Sequence, residues 1–204
     1  LQHVLVVEEK VDGGNLGFSL VTTPEQYAKV CVQNRTHYIK ASEHPQYEKL
    51  DKWTARHVDE LVESVLVDPD NEILFGEWLY MTHSIPYTKL PAECIVYDIF
   101  NRRTGKELTR AQLAARLEGT SIPQVHEVVP PRKYASIDEL VAVLKASKSA
   151  YRDGAPEGVY VRALSEDGES VVMRGKIVLP GFVAGSAFVG KKSANQKILR
   201  NGIL

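Results

Sequence analysis

Residues 3–22 read HVLVVEEKVDGGNLGFSLVT, and this stretch decides the fold class. Residues 3–8 are apolar and rich in β-branched side chains, which predicts a buried strand. Asp12-Gly13-Gly14 is typical of a turn, and residues 15–22 predict a second strand. The chain therefore begins with two strands and no helix between them, unlike the βαβ units of a parallel sheet.

Strands outnumber helices in the rest of the chain. Further strands are predicted at residues 29–33, 72–81, 93–100, 125–129, 158–164 and 170–179. Helices are predicted at residues 44–66, 109–117 and 136–147, the first from an apolar stripe and the others from Thr or Ser N-caps. Because the strands do not alternate with helices, we expect an α+β fold with mainly antiparallel sheets and flanking helices.

The composition is that of a globular protein. Of the 204 residues, 44% are hydrophobic and 25% are charged, which excludes a disordered, collagen-like or coiled-coil chain. No run approaches the roughly 18 apolar residues of a membrane span. Cys31 and Cys94 lack partners at zinc-ligand spacing, so we expect a reducing, intracellular and most simply cytoplasmic setting. The chain starts with Leu1 rather than Met, which leaves an N-terminal signal open.

The net charge of −1 conceals a basic C-terminal region. Residues 170–204 contain no Asp or Glu, and their cations are Arg174, Lys176, Lys191, Lys192, Lys197 and Arg200. Two interpretations are open, a polyanion-binding edge and a solvated basic tail, and charge alone favours neither.

Lys10 lies where the first predicted strand meets the glycine turn. The buried residues before it would partly desolvate its ammonium, which makes the amine a better nucleophile. Asp12, two residues further on, would point to the same face of an extended strand and could orient or deprotonate a reacting group. Gly13 and Gly14 would let a phosphate-bearing ligand approach the backbone. The alternative is an exposed hairpin turn with a solvated lysine, and the short pattern K-x-D-G taken alone favours that alternative.

Other charged residues interrupt apolar predicted strands. Glu77, Asp98 and Glu157 place carboxylates within or at the entry of such strands, and Arg174 and Lys176 place two cations on one strand face. A buried charge needs a partner or a ligand, so these groups either pair internally or line one polar pocket. Carboxylates around a lysine and an arginine are typical of a site for Mg²⁺ and a triphosphate.

Taken in order, these motifs resemble those of the covalent nucleotidyltransferase superfamily of polynucleotide ligases and capping enzymes. Within it the chain is most similar to ATP-dependent RNA ligases of the bacteriophage type 2 branch. The resemblance spans about residues 5–176 and rests on KVDGGN (10–15), QNR (33–35), FGEWLY (75–80) with HSIPY (83–87), YDIF (97–100), EGVYV (157–161) and RGK (174–176). The last motif usually begins with lysine; Arg174 keeps the charge.

The resemblance implies a nucleotidyltransferase (adenylation) domain at residues 1–179 and a basic C-terminal extension at residues 180–204, without a separate OB domain. It implies ATP with Mg²⁺ or Mn²⁺ as cofactors. The expected partner is RNA with 5′-phosphate and 3′-hydroxyl ends, joined through a lysyl-AMP intermediate. Two alternatives remain, a DNA ligase or capping-type enzyme and a catalytically silent nucleic-acid-binding module. The oligomeric state and the form of the substrate, a nick, a single strand or a tRNA fragment, stay undetermined.

The resemblance also implies a role for each site residue. Lys10 is the expected nucleophile, and Asp12, Arg174 and Lys176 complete the catalytic set. Glu157 is the metal candidate. Tyr97 is expected to stack on adenine and Glu77 to bind the ribose hydroxyls. The full nucleotide-binding set is Glu9, Lys10, Asn15, Arg35, Glu77, Tyr97, Glu157, Arg174 and Lys176.

Overall fold

The computed structural model describes residues 1–22, 28–180 and 200–203, which belong to two compact units. The first unit comprises Leu1–Gly13, Met81–Pro91 and Val125–Leu204, and the second comprises Gly14–Tyr80 and Ala92–Gln124. The domain boundary expected at residue 179 stays a prediction. Lys191, Lys192 and Lys197 of the expected basic extension lie outside the described residues.

Each unit is built on one antiparallel sheet. The strands are β1 (Leu5–Lys10), β2 (Gly14–Thr22), β3 (Ala28–Gln33), β4 (Glu72–Trp78), β5 (Cys94–Asn101), β6 (Lys106–Glu107), β7 (Glu127–Arg132), β8 (Gly158–Leu164) and β9 (Val171–Val178). The helices are α1 (Leu50–Glu60), extended by a π-helical turn at Leu61–Val65, α2 (Arg110–Leu117) and α3 (Ile137–Ala146). Two 3₁₀ turns, at Ala41–Glu43 and Pro45–Tyr47, precede α1.

The first unit contains a four-stranded sheet in the order β7-β1-β8-β9. Because side chains alternate along a strand, Leu5 and Val7 of β1 point to one face, where they pack with Val159 of β8. Leu140 and Leu144 of α3 belong to the same core. Ser136 is the N-cap of this helix, and its hydroxyl accepts a hydrogen bond from the Glu139 amide at 3.2 Å. The opposite face of this sheet carries charged residues.

The second unit contains a five-stranded sheet in the order β3-β2-β4-β5-β6. Phe18 of β2 and Trp78 of β4 are buried on one face. Trp53 of α1 packs there, with its ring centroid 4.7 Å from that of Phe18 and 6.5 Å from that of Trp78. The Trp78 indole donates a hydrogen bond to the Gln46 carbonyl at 2.5 Å, which ties the second 3₁₀ turn to the sheet.

The architecture confirms the α+β class with mainly antiparallel sheets, and it corrects local details. β1 and β2 follow each other in the chain but belong to different sheets, so the alternative of a simple hairpin turn at residues 11–14 is wrong. The first long helix begins at Leu50 rather than at residue 44, because Pro45 starts a separate 3₁₀ turn. Within the described ranges, no helix is both long enough and apolar enough to cross a membrane.

Candidate functional site

One face of the first sheet gathers the charged residues of the sequence motifs. Residues directly opposite each other in an antiparallel pair share a face. The register sets Lys10 opposite Gly158, Arg162 opposite Arg174, and Tyr160 opposite Lys176. This charged face, which lies opposite the α3 core, therefore contains Glu8, Lys10, Tyr160, Arg162, Arg174 and Lys176.

Lys10 and Glu157 form the central contact of this face. The Lys10 Nζ donates hydrogen bonds to both carboxylate oxygens of Glu157, at 2.7 and 2.8 Å. The two side chains are only 15% and 9% exposed. Glu157 directly precedes β8, whose first residue, Gly158, pairs with Lys10. The expected nucleophile and the expected metal ligand are thus brought together as a largely desolvated ion pair.

A second ion pair lies beside the first. Glu8 of β1 and Arg162 of β8 are both buried and form a salt bridge. Burial, with a smaller contribution from the positive charge of Arg174, lowers the pKa of Arg162 to about 10. Arg174 and Lys176 are exposed cations on β9. An arginine and a lysine on one strand face suit an anionic ligand such as phosphate.

Asp12 is held by the segment that carries the HSIPY motif. Its backbone N–H donates to the Tyr87 hydroxyl at 2.7 Å, and its carboxylate Oδ2 accepts from the Ser84 amide at 2.7 Å. β1 ends at Lys10, so the expectation that Asp12 continues the same extended strand is wrong. Its position instead follows from these two hydrogen bonds. Burial raises the pKa of Tyr87, and the negative charges of Glu157 and Asp12 add to the effect.

Asn201 supports the same segment and was missed by sequence reasoning. Its buried side-chain Oδ1 accepts from the Thr82 hydroxyl at 2.8 Å and from the Tyr87 amide at 3.0 Å. The Gly202 amide donates to the Tyr87 carbonyl at 2.8 Å. A lone asparagine in a basic region gives no signal of this role. Tyr87 belongs to the HSIPY motif, but the motif does not indicate which group its hydroxyl contacts.

Glu9 does not share the face of Lys10, because neighbouring residues of a strand point to opposite faces. Its carboxylate accepts hydrogen bonds from the Ser149 hydroxyl at 2.5 Å and from the Ala150 amide at 2.9 Å. Burial raises the pKa of Glu9, an effect that these hydrogen bonds oppose. Its carboxylate therefore fixes the segment after α3. A contact between Glu9 and a nucleotide would have to be made by the Glu9 backbone.

The second unit brings together three of the predicted nucleotide-binding residues. Asn15 of β2 lies directly opposite Glu77 of β4. The Asn15 side-chain amide donates to the Tyr97 hydroxyl. The pairing of β4 with β5 skips Tyr97, which is the extra residue of a bulge, and bulges often redirect a side chain. These three half-buried residues define a second polar patch, the Asn15–Glu77–Tyr97 patch.

Arg35 lies apart from that patch along the chain. β3 ends at Gln33, as the predicted strand at residues 29–33 does, and Arg35 is exposed on the following turn. The Asn34 side chain closes this turn by accepting hydrogen bonds from the amides of Thr36 at 2.8 Å and His37 at 2.9 Å. Such asparagine turns compete with strand formation, which explains why the strand stops.

The assignment of Glu157 as the metal ligand stays a prediction. In the part of the chain that the structure describes, no group of three or more His, Cys, Asp or Glu side chains could hold a metal ion. Mg²⁺, however, is usually bound through one or two carboxylates, several waters and substrate phosphates. The Glu157 carboxylate is of the type that Mg²⁺ uses, and both of its oxygens accept hydrogen bonds from the Lys10 ammonium, which a metal ion would have to replace.

The sequence matches the RNA ligase family over residues 3–178, so the chain belongs to the RNA ligase family. A search of curated proteins finds no match. The assignment to the bacteriophage type 2 branch stays a prediction.

Solved structures of ligases share the fold. The Naegleria gruberi RNA ligase with PPi is 16% identical, with a TM-score of 0.59 over 88% of this chain and 50% of that chain. A lysine-to-alanine variant of that ligase with ATP and Mn is 12% identical, with a TM-score of 0.62 over 88% and 50% of the two chains. A putative ATP-dependent DNA ligase from Aquifex aeolicus is 21% identical, with a TM-score of 0.55 over 87% and 44%. The chain thus spans about half the length of these proteins.

Proposed function

We propose that this chain is the adenylation domain of an ATP-dependent RNA ligase and that Lys10 becomes covalently adenylated. The observation that carries the proposal is the Lys10–Glu157 ion pair on a face that also contains Arg174 and Lys176. Membership of the RNA ligase family and the ATP, Mn and PPi bound in similar ligase structures support it.

In the first step, the Lys10 Nζ attacks the α-phosphorus of ATP. A nitrogen–phosphorus bond forms, the bond to the bridging oxygen breaks, and pyrophosphate leaves. The ammonium must first lose a proton to solvent, because only the neutral amine can attack, and the Glu157 carboxylate opposes this loss by stabilising the ammonium. The ion pair therefore has to open before attack. Mg²⁺ or Mn²⁺, when bound, supplies positive charge at the phosphate oxygens and would be held by Glu157.

Arg174 and Lys176 would hold the α-phosphate, where negative charge develops during the attack. Their place on one face of β9, beside the strand that follows Glu157, supports this role. Asp12 would orient the reacting groups, because it follows Lys10 by two residues and its position is fixed by hydrogen bonds to Ser84 and Tyr87.

Further nucleotide-binding roles are proposed residue by residue. Tyr97 would stack on adenine and Glu77 would bind the ribose hydroxyls, and the shared Asn15–Glu77–Tyr97 patch supports both roles. Asn15 and Arg35 would contact the phosphate or the RNA end. Glu9 would contribute through its backbone.

Two further steps complete the proposed reaction. The AMP moves from Lys10 to the 5′-phosphate of an RNA strand, which restores the amine. A 3′-hydroxyl then attacks that activated phosphate, forms the new phosphodiester and expels AMP. The partner is therefore RNA with 5′-phosphate and 3′-hydroxyl ends. A DNA ligase is the second candidate, favoured by the structural similarity to the putative Aquifex aeolicus enzyme.

The test is transfer of label from ATP to the protein. Incubation with α-labelled ATP and Mg²⁺ should add AMP to the wild-type chain, as detected by intact mass, and none to Lys10→Ala. Lys145→Ala is the matched control, since Lys145 is an exposed lysine of α3. Label on Lys10→Ala would overturn the assignment of the nucleophile. No label on the wild type would favour a silent binding module. Joining of 5′-phosphorylated RNA or DNA oligonucleotides then separates the two ligase candidates.

A further inference from the structure

Tyr38 is a large aromatic side chain that the fold holds in solvent. It is 60% exposed, although it lies only five residues after β3. Its backbone is fixed: Tyr38 forms an antiparallel bridge with Gln33, and the next residue, Ile39, donates to the Val32 carbonyl at 2.9 Å. The backbone of Tyr38 is therefore held in place while its ring faces solvent and not the core.

Tyr38 shares a sheet face with the Asn15–Glu77–Tyr97 patch. It lies opposite Gln33, and Gln33 lies opposite Gly17 of β2, so all three point to one face. Asn15 is two residues before Gly17 on the same strand and points to the same face. Tyr38 therefore lies at the outer edge of the sheet face that also contains the Asn15–Glu77–Tyr97 patch.

The stretch of sequence that carries Tyr38 is basic. Residues 28–42 contain no Asp or Glu but contain Lys29, Arg35 and Lys40. All three cations are exposed. A lysine at a sheet edge discourages pairing with another chain, but an exposed tyrosine has no such effect. An aromatic ring among cations is the combination that binds single-stranded nucleic acids, with bases stacked on the ring and phosphates bound by the cations.

We propose that Tyr38 is a stacking platform for one base of a single-stranded RNA end, with Arg35 and Lys40 contacting the flanking phosphates. The proposal rests on the proposed function for the identity of the substrate, and it adds a base-binding position to that function. Stacking of this kind tolerates any base, because every base has an aromatic face. Binding should therefore depend on the presence of a base at one position and not on its identity.

The first experiment measures binding of a labelled single-stranded RNA to the 204-residue chain without ATP. Tyr38→Ala should weaken binding about 5- to 150-fold, whereas Tyr38→Trp should retain it. Val67→Ala is the matched control, because Val67 is a 58% exposed apolar residue of the same unit, and its binding should equal that of the wild type. Circular dichroism checks that each variant is folded.

Salt dependence separates stacking from charge. Arg35→Ala should lower the slope of log affinity against log salt by about 0.7, the value for one phosphate contact with a single strand. Tyr38→Ala should leave this slope unchanged. A lower slope in Tyr38→Ala would mean that the tyrosine acts through the cations, and it would overturn the stacking role.

The second experiment uses RNAs with one abasic nucleotide at successive positions. One abasic position should weaken binding to the wild type and should have no further effect on Tyr38→Ala. Equal affinity of Tyr38→Ala and wild type, or equal abasic effects in both, would overturn the proposal. So would a change in self-association without a change in RNA affinity, which would indicate a protein interface.

Lysine adenylation of the same variants separates this proposal from the proposed function. Tyr38→Ala should label with AMP within a few-fold of the wild type. If the wild type does not adenylate but the Tyr38 and abasic effects hold, the ligase function fails while the stacking site stands.

Discussion

Replacement of Tyr87 by Phe should remove one hydrogen bond that supports Asp12. The Tyr87 ring is 2% exposed, and its hydroxyl accepts the Asp12 amide hydrogen at 2.7 Å. Phe keeps the packing of the ring but leaves that amide without this acceptor. The hydrogen bond is part-buried, so its loss should lower the free energy of unfolding by about 0.5–1.5 kcal/mol, the net contribution of a typical hydrogen bond.

Tyr151 provides a matched control in the same unit. Its ring is 5% exposed, and its hydroxyl accepts the His126 amide hydrogen, also at 2.7 Å. This hydrogen bond is also part-buried, so Tyr151→Phe should destabilise the chain by a similar amount, about 0.5–1.5 kcal/mol. Urea unfolding measures both values. The two variants share the chemical change and differ in whether the lost bond holds Asp12.

Lysine adenylation under conditions where both variants are folded should distinguish them. Tyr87→Phe should slow AMP transfer to Lys10 by about tenfold or more, because a displacement of about 1 Å in a reacting group costs up to about 10²-fold in rate. Tyr151→Phe should label at nearly the wild-type rate. Equal rates in the two variants would refute the argument that Tyr87 positions Asp12 for the reaction.

Two further predictions concern stability. A Cβ at Gly158 would lie 2.1 Å from the Ile177 carbonyl oxygen, so Gly158→Ala should lower the free energy of unfolding in urea by about 1–3 kcal/mol or more. Gly175→Ala, with open space around its Cβ, should be neutral or stabilising. Equal losses of stability in the two variants would contradict this explanation. Burial raises the pKa of Glu9 above its ordinary value of about 4.5, so the folded chain binds the Glu9 proton more tightly than the unfolded chain does. The stability that this protonation contributes is therefore fully present below pH 4.5 and is lost as pH rises through the folded-state pKa of Glu9. Glu9→Gln should make the decline of unfolding free energy above pH 4.5 shallower, and an unchanged slope would show that Glu9 does not cause it.

Local elements could be predicted from the sequence where turn chemistry and strand pattern agree. The hairpin predicted at residues 158–164 and 170–179 is observed as Gly158–Leu164 and Val171–Val178, and Gly168 in its turn has a φ of 77°. The pairing of β1 with β8 joins residues about 150 positions apart, and no local pattern encodes it. The separation of β1 and β2 into different sheets was missed for the same reason.

The candidate site shows the same limit. Lys10 and Glu157 were each found from their motifs, but their contact follows only from the β1–β8 register. Strict alternation could have shown that Glu8 and Glu9 point to opposite faces, so that only Glu8 shares the face of Lys10. The exposed turn that carries Arg35 depends on the side chain of Asn34, which accepts hydrogen bonds from the amides of Thr36 and His37.

The position of Asp12 depends on two distant segments of the chain, one with Ser84 and Tyr87 and the other with Asn201. Tyr87 contacts the Asp12 backbone, Ser84 contacts its carboxylate, and Asn201 in turn holds Tyr87 through its amide. Each of these hydrogen bonds joins residues more than 70 positions apart. The spacing of Lys10 and Asp12 in the motif therefore explains which residues are near each other, but not how Asp12 is oriented. Ser84 and Tyr87 belong to the HSIPY motif, but the motif does not indicate that they contact Asp12, and Asn201 belongs to none of the motifs.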